Sequence, residues 1–261
     1  LLSGHVGGAN SMTLQIARLC CGQAVISTAT DVNSVFAVDE WAQKHGLAIC
    51  ERDLAKDVSA ALLEGAMLGF VSDFGIEKPQ SDQIISDSDD EAVCPQLGIH
   101  VTYNEGSRPF ERTLHLVPRN IVAGIGCRKG IRAEQVEHAL GNVLDEQGIS
   151  PRAIQALASI DIKADERGLH EYAEKAGYSL RFFSSADLQA QEGEFSHSDF
   201  VEETVGVDNV CERAAIAACG QGELICSKHI CDGVTVALAW DDAERECELR
   251  RSEGAAGANH E

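Results

Sequence analysis

Basic residues are scarce in this chain of 261 residues, which has 21 Lys and Arg against 42 Asp and Glu and a formal net charge of -21. Nucleic acids and anionic membrane surfaces are bound largely through Lys and Arg side chains. The charge balance therefore argues against nucleic acid or a membrane surface as a general partner. It leaves room for a local cationic pocket.

Long apolar runs are also absent. No stretch of about 18 apolar residues could span a membrane, and no basic segment followed by an apolar core resembles a signal peptide. The ten cysteines are scattered and mostly lie inside apolar runs, as is typical of reduced, buried thiols. We therefore predict a cytoplasmic protein without a disulfide framework.

The sequence also lacks a methionine at its start. The chain begins with Leu1 and Leu2, which resemble the end of a strand, so we expect the start of the first domain to be missing. Hydrophobic residues nevertheless make up 44% of the chain, which is enough to bury a core.

Strand and helix signals alternate along the chain and divide it into four parts. We predict the remainder of an N-terminal α/β domain over 1–50 and a middle module with an acidic linker over 51–118. A C-terminal α/β domain follows over 119–240, and a disordered tail over 241–261. The predicted fold class is α/β, with two α/β domains joined by a small middle module. The C-terminal domain is predicted to be a three-layer sandwich with a mostly parallel sheet and an antiparallel edge.

Three local predictions can be compared directly with a structure. The run at 53–70 predicts one helix, and the acidic run at 72–92 predicts a solvated, mobile connection. The tripeptide "CDG" at 231–233 predicts a hairpin between the last two strands.

The loop "IVAGIGCRKG" at 121–130 follows a predicted strand and precedes a predicted helix. Ligands of parallel α/β sheets bind beyond the carboxyl ends of the strands, so such loops are the first candidates for a site. Gly124, Gly126 and Gly130 follow the pattern G-x-G-x-x-x-G, one residue longer than the dinucleotide-binding pattern G-x-G-x-x-G. A nucleotide-binding enzyme remains an alternative, as does a plain strand-to-helix turn.

Cationic donors in the same loop favour an anionic ligand. Arg128 and Lys129 stand at the start of the following helix, where backbone N–H groups also attract negative charge. Cys127 is either a thiolate nucleophile activated by these neighbouring cations or a small residue that fills the turn.

The loop "SIDIKADERG" at 159–168 carries carboxylates beside a lysine. Two carboxylates near a lysine can be tuned for proton transfer. Asp161 and Asp165 are therefore candidate catalytic residues, and Lys163 is a candidate substrate ligand. The alternative is a helix start, which favours acidic residues in its first turn.

Two loops near the beginning of the chain, "SGHVGGAN" at 3–10 and "TATDVN" at 28–33, also follow strand signals. His5 and Asp31 are candidate general bases. The candidate substrate ligands of these loops are Ser3, Gly7, Gly8, Asn10, Thr28 and Thr30. The alternatives are a structural loop histidine, N-caps and turns.

The segment "CSKHIC" contains three residues of metal-ligating types, Cys226, His229 and Cys231. In an extended strand Cys226 and Cys231 point to opposite faces, and no second pair completes a tetrahedral site. We therefore predict no metal. Lys228 is instead a candidate substrate ligand, as a cation at the edge of the sheet.

Six motifs in this order carry a resemblance to a known family. They are "LLSGHVGGAN", "TATDVNSVFAVDEWA", "VAGIGCRKG", "ASIDIKADERGL", "LRFFSSADL" and "DGVTVALA". In order and wording they resemble the cobalt-precorrin-5A hydrolases of anaerobic cobalamin biosynthesis. The resemblance covers residues 1–50 and 119–240.

The resemblance implies a substrate and a reaction. The substrate would be cobalt-precorrin-5A, a macrocycle with many acetate and propionate arms and a δ-lactone. Opening of the lactone would release a bridge carbon with its methyl group as acetaldehyde and leave cobalt-precorrin-5B. The cobalt is carried by the substrate, so no cofactor is implied. Other cobalamin-pathway enzymes and a second copy in a homodimer are further expected partners.

The resemblance also suggests roles for the candidate residues. The predicted ligands of the carboxylate arms are Arg128, Lys129, Arg132, Lys163 and Lys228. His5 or Asp31 would be the base that activates water. The predicted oxyanion donors are the N–H groups of Gly7 and Gly8, or those of Gly126 and Cys127. The alternative function is a non-catalytic corrinoid carrier of the same pathway.

Overall fold

A computed structural model describes residues 19–20, 36–86, 95–198, 205–220 and 222–240. The chain divides into two compact units, residues 1–118 and 119–261. Among the described helices, none combines the length and apolar character needed to cross a membrane.

The first unit contains a five-stranded sheet with the order β1-β5-β4-β2-β3. Its strands are β1 Leu47–Ile49, β2 Leu68–Ser72, β3 Ile84–Ser86, β4 Leu97–Val101 and β5 Arg112–Pro118. Its described helices are α1 Val38–Lys44 and α2 Arg52–Leu63. β2 to β5 run parallel and β1 pairs antiparallel with β5. Apolar residues of both helices and of the central strands form one buried core.

The single helix predicted for 53–70 is wrong beyond Leu63. Gly65 has φ +83°, a left-handed conformation that ends a helix at little cost when the residue is glycine. The apolar residues that follow form the buried strand β2. The predicted connection at 72–92 likewise contains an ordered strand, β3, within its described part.

The second unit contains a five-stranded sheet with the order β8-β7-β6-β10-β9. Its strands are β6 Ile121–Cys127, β7 Ile154–Ile160, β8 Ser179–Phe183, β9 Glu223–Cys231 and β10 Val234–Trp240. Four strands run in the same direction and β10 opposes them. The α/β class and the sandwich with antiparallel pairing at one edge are confirmed, with a sheet that is mixed.

Helices cover both faces of this sheet. They are α3 Ala133–Gln147, α4 Arg167–Ala176, α5 Ser185–Gln189 and α6 Cys211–Cys219. Small residues of α6, such as Ala214 and Ala215, pack on Val122, Ala156 and Ala158. α3 packs against β9, β10 and α4. The strand side chains that contact α3 alternate along the strands with those that contact α6. The two helices therefore lie on opposite faces of the sheet.

The last two strands form the predicted hairpin. Asp232 and Gly233 have φ +44° and +79°, which suits the tight turns that join antiparallel strands. The pairing is irregular further along, because Val236 opposes His229 whereas Leu238 opposes Cys226. β9 therefore contains an extra residue at this point, a β-bulge.

Candidate functional site

Three segments meet at the carboxyl ends of β6 and β7. The backbone N–H of Gly130, in the loop after β6, donates to Glu166 Oε1 at 2.9 Å. The N–H of Arg128 donates to the carbonyl of Gly233, in the hairpin turn, at 3.1 Å. The 3-10 turn Asp161–Lys163 follows β7 and leads to Glu166. We call this region, 127–132 with 161–166 and 232–233, the strand-end site.

A largely buried ion pair lies in the strand-end site. Lys163 Nζ is 3.8 Å from Glu166 Oε2, and the two side chains are only 16% and 10% exposed. Glu166 therefore connects the loop after β6 to the lysine after β7. An ammonium group carries three N–H donors, so Lys163 retains donors for a ligand while its charge is balanced.

Cys127 shares this neighbourhood but is not a thiolate. Burial raises its pKa to about 11, against a smaller lowering by Lys163, and Glu166 adds to the increase. The thiol is therefore neutral near pH 7, and the thiolate interpretation of Cys127 is wrong. The cations that were expected to activate it are Arg128 and Lys129, whose side chains are exposed.

Arg128 and Lys129 provide positive charge at the mouth of the strand-end site. Within the described part of the chain, neither side chain has a carboxylate partner. The aliphatic part of Arg128 lies beside Gly233. Exposed cations without carboxylate partners among the described residues are available to an anionic ligand.

The glycines of the loop have packing roles in the structure. A Cβ at Gly124 would collide with the backbone carbonyl of Cys211 at the start of α6, and a Cβ at Gly126 would collide with Thr235 Oγ1. Glycine at these two positions therefore lets α6 and β10 approach β6 closely. The substrate-binding role of Gly126 stays a prediction.

The remaining predicted residues are only partly brought together. Asp161 and Asp165 are exposed in the turn after β7, beside the strand-end site. Lys228 lies on the edge strand β9, near Cys211 at the start of α6, whose pKa is raised by burial against a smaller lowering by the charge of Lys228. The other candidates lie outside the described residues: Ser3, His5, Gly7, Gly8, Asn10, Thr28, Thr30 and Asp31.

Sequence reasoning did not select two glutamates that hold segments of the second unit together. Glu166 was one of several acidic residues in its loop, and the turn decides that it faces Gly130 and Lys163. Glu212 is 1% exposed. It accepts hydrogen bonds from Ser196 N at 2.7 Å, Ser196 Oγ at 2.8 Å and Lys228 N at 2.6 Å. The sequence signal for Glu212 is an acidic residue in the first turn of a helix that is rich in small residues.

The geometry assumed for "CSKHIC" is wrong. Because of the β-bulge, Cys226, His229 and Cys231 oppose Leu238, Val236 and Val234, which share one face of β10. All three side chains therefore face α3. Over the described residues, no group of three His, Cys, Asp or Glu side chains is arranged to hold a metal ion.

Comparison with known families matches three consecutive regions of the chain. The region described as cobalamin synthesis G N-terminal matches residues 1–31. The cobalamin biosynthesis central region matches residues 36–118. The region described as cobalamin synthesis G C-terminus matches residues 121–239.

Named relatives align with most of the chain. The cobalt-precorrin-5A hydrolase of Salmonella typhimurium is 33% identical over 245 residues, which cover 91% of this chain and 70% of that protein. The cobalt-precorrin-5A hydrolase of Priestia megaterium is 28% identical over 252 residues, covering 92% and 67%. A crystal structure of CobE, a protein from the cobalamin biosynthetic pathway, is 35% identical, covers 47% of this chain and 91% of that chain, and superposes with a TM-score of 0.45.

Proposed function

This chain belongs to the cobalt-precorrin-5A hydrolases, a family of enzymes in cobalamin biosynthesis, and from this we propose that it opens the δ-lactone of cobalt-precorrin-5A. Water adds to the lactone carbonyl and the ring C–O bond breaks, which leaves a carboxylate and a hydroxyl group on the bridge carbon. This hydroxyl then loses its proton, the C–C bond to the macrocycle breaks, and the bridge carbon leaves with its methyl group as acetaldehyde, while the electron pair of the broken bond stays on the macrocycle. The product is cobalt-precorrin-5B. We propose no protein-bound metal, since the cobalt ion is part of the substrate.

The strand-end site supports a role in holding the carboxylate arms. Arg128 and Lys129 are exposed cations without carboxylate partners among the described residues, and Lys163 is a largely buried cation of the same site. A polycarboxylate is repelled by a chain of charge -21 unless local groups reverse the sign. Hydrogen bonds between cationic donors and carboxylates are among the stronger ones in proteins, so these three residues are the proposed ligands of the arms.

Lactone opening also needs a base for water and donors for the oxyanion. We keep His5 or Asp31 as the proposed base, and the N–H groups of Gly7 and Gly8 as proposed oxyanion donors. Asp161 and Asp165 are exposed next to Lys163 and remain proposed proton carriers.

Acetaldehyde release tests this function directly. The full chain is incubated with cobalt-precorrin-5A under anaerobic conditions, and acetaldehyde is measured with an alcohol dehydrogenase and NADH. We expect one acetaldehyde per substrate consumed. Binding of the macrocycle without acetaldehyde would contradict the proposal and indicate a carrier.

A further inference from the structure

A cysteine, a histidine and an asparagine meet between α3 and the edge strand β9. Cys231 Sγ lies 3.6 Å from His138 Nδ1. Asn142 Nδ2 is 3.6 Å from the same sulfur and 3.5 Å from His138 Nε2. His138 and Asn142 are four residues apart on a helix, so they lie on one face of α3.

The hydrogen bonds in this cluster favour one form of the histidine. The amide nitrogen of Asn142 is a donor, so His138 Nε2 accepts from it. A neutral imidazole with an accepting Nε2 carries its proton on Nδ1, and this proton then points at Cys231 Sγ. The sulfur therefore faces two N–H groups, which can donate hydrogen bonds to it while it acts as a nucleophile.

The cluster borders the strand-end site, since Cys231 directly precedes Asp232, but it is a distinct group of side chains that is open to solvent. Cys231 opposes Val234, which in turn opposes Cys127, so one strand lies between the two cysteines. His138 is exposed and Cys231 is half-buried. A small molecule can therefore reach the sulfur without disturbing the core.

Other described thiols of the same unit have a different environment. Burial raises the pKa of Cys127 and of Cys211 to about 11. Burial, followed by the charges of Glu146 and Glu212, also raises the pKa of Cys226. Cys226 lies on the same face of the same strand as Cys231, so it is a matched reference for the effect of His138 and Asn142.

We propose that Cys231, His138 and Asn142 form a thiol modification site that reacts with small electrophilic oxidants of the peroxide class. The Cys231 thiolate attacks one oxygen of hydrogen peroxide, an S–O bond forms, and the O–O bond breaks. The sulfur is oxidised to sulfenic acid and the peroxide is reduced to hydroxide. The hydroxide takes up the proton that the thiol released, so the net products are sulfenic acid and water. This proposal does not depend on the corrinoid reaction.

Labelling kinetics of individual cysteines test the proposal. The full-length protein is treated at pH 7 with hydrogen peroxide and a sulfenic-acid trap, or separately with iodoacetamide, and each cysteine peptide is quantified by mass spectrometry. We expect Cys231 to react about ten-fold faster than Cys226, and His138→Gln to remove most of this difference. His229→Gln is the control, because His229 lies on the same face but pairs with Glu146 at 3.6 Å.

Two results would overturn the proposal: equal rates at Cys231 and Cys226 in the parent protein, or an unchanged Cys231 rate in His138→Gln. The buried Cys211 reports folding, since its labelling accelerates only if a variant unfolds. If His138→Gln unfolds, Asn142→Ala removes the second donor to the sulfur instead. An unchanged Cys231 rate in a folded Asn142→Ala protein also contradicts the proposal.

Discussion

Arg128 and Lys129 are the exposed cations that we propose as ligands of the carboxylate arms. We expect the double variant Arg128→Ala, Lys129→Ala to bind cobalt-precorrin-5A at least about ten-fold more weakly, because each hydrogen bond to a charged group contributes about 1.5–3 kcal/mol when it is desolvated and less at an exposed position. Titration of the macrocycle followed by its visible absorbance measures the dissociation constant.

The control removes the same number of positive charges at the other end of the sheet, including that of Lys175, which pairs with Glu137 at 2.7 Å. Arg119 and Lys175 are exposed, with Arg119 directly before β6 and Lys175 at the end of α4. The variant Arg119→Ala, Lys175→Ala should bind almost as well as the parent protein. Equal affinities of both double variants would show that the strand-end site does not hold the carboxylate arms.

Cys127 provides a test that depends on pH. Its pKa of about 11 means that the thiol is neutral below that pH, with a thiolate fraction of about one in a thousand at pH 8. We expect alkylation of Cys127 by iodoacetamide to rise about ten-fold per pH unit from pH 7 to 10. In guanidinium chloride, where burial is lost, the alkylation rate of the same peptide should reach its plateau at a lower pH. A plateau near pH 8 in the folded protein would contradict the neutral thiol.

At the level of secondary structure elements, the contact between β6 and α6 depends on Gly124. A Cβ there would collide with the backbone of Cys211, and backbone cannot move aside as a flexible side chain can. We expect Gly124→Ala to lower the free energy of unfolding by at least about 2 kcal/mol, as measured by urea denaturation.

Gly141 in α3 is the control for this substitution, because a Cβ there meets no atom within 4 Å. An alanine inside a helix costs less backbone entropy than glycine, so Gly141→Ala should stabilise the protein by about 0.5–1 kcal/mol. If both variants change stability by the same amount, close packing is not the reason for the glycine at 124.

The elements differ in how far the sequence could predict them. The strands β6, β7 and β8 alternate with helices in a clear pattern, and the second unit follows it. The helix predicted over 53–70 is too long, because a continuous run of apolar residues does not distinguish a helix from a buried strand. The prediction therefore placed part of β2 inside a helix. The bulge in β9 is defined by the register between β9 and β10, and this register cannot be predicted from the residues of one strand. The turn after β7 similarly decides that Glu166 contacts Lys163.

At the level of the whole molecule, the net charge of -21 should slow the approach of a polycarboxylate. Salt shortens the range of this repulsion, from about 30 Å at 0.01 M to about 8 Å at 0.15 M. We therefore expect the association rate of a cobalt corrinoid that keeps its carboxylate arms to rise several-fold over this range, as measured by stopped-flow absorbance. A corrinoid with amidated, uncharged arms is the control and should show little change. A falling rate would mean that the local cations dominate at long range.

The irregular pairing of β9 has a consequence for the solubility of the protein. β9 is the edge of its sheet and exposes two isoleucines, Ile225 and Ile230. A regular edge of this kind offers a row of N–H and C=O groups on which a strand of another chain can add. The extra residues in β9 interrupt that row. The same bulge that turns Cys226 toward α3 should therefore also hinder the addition of a strand from another chain.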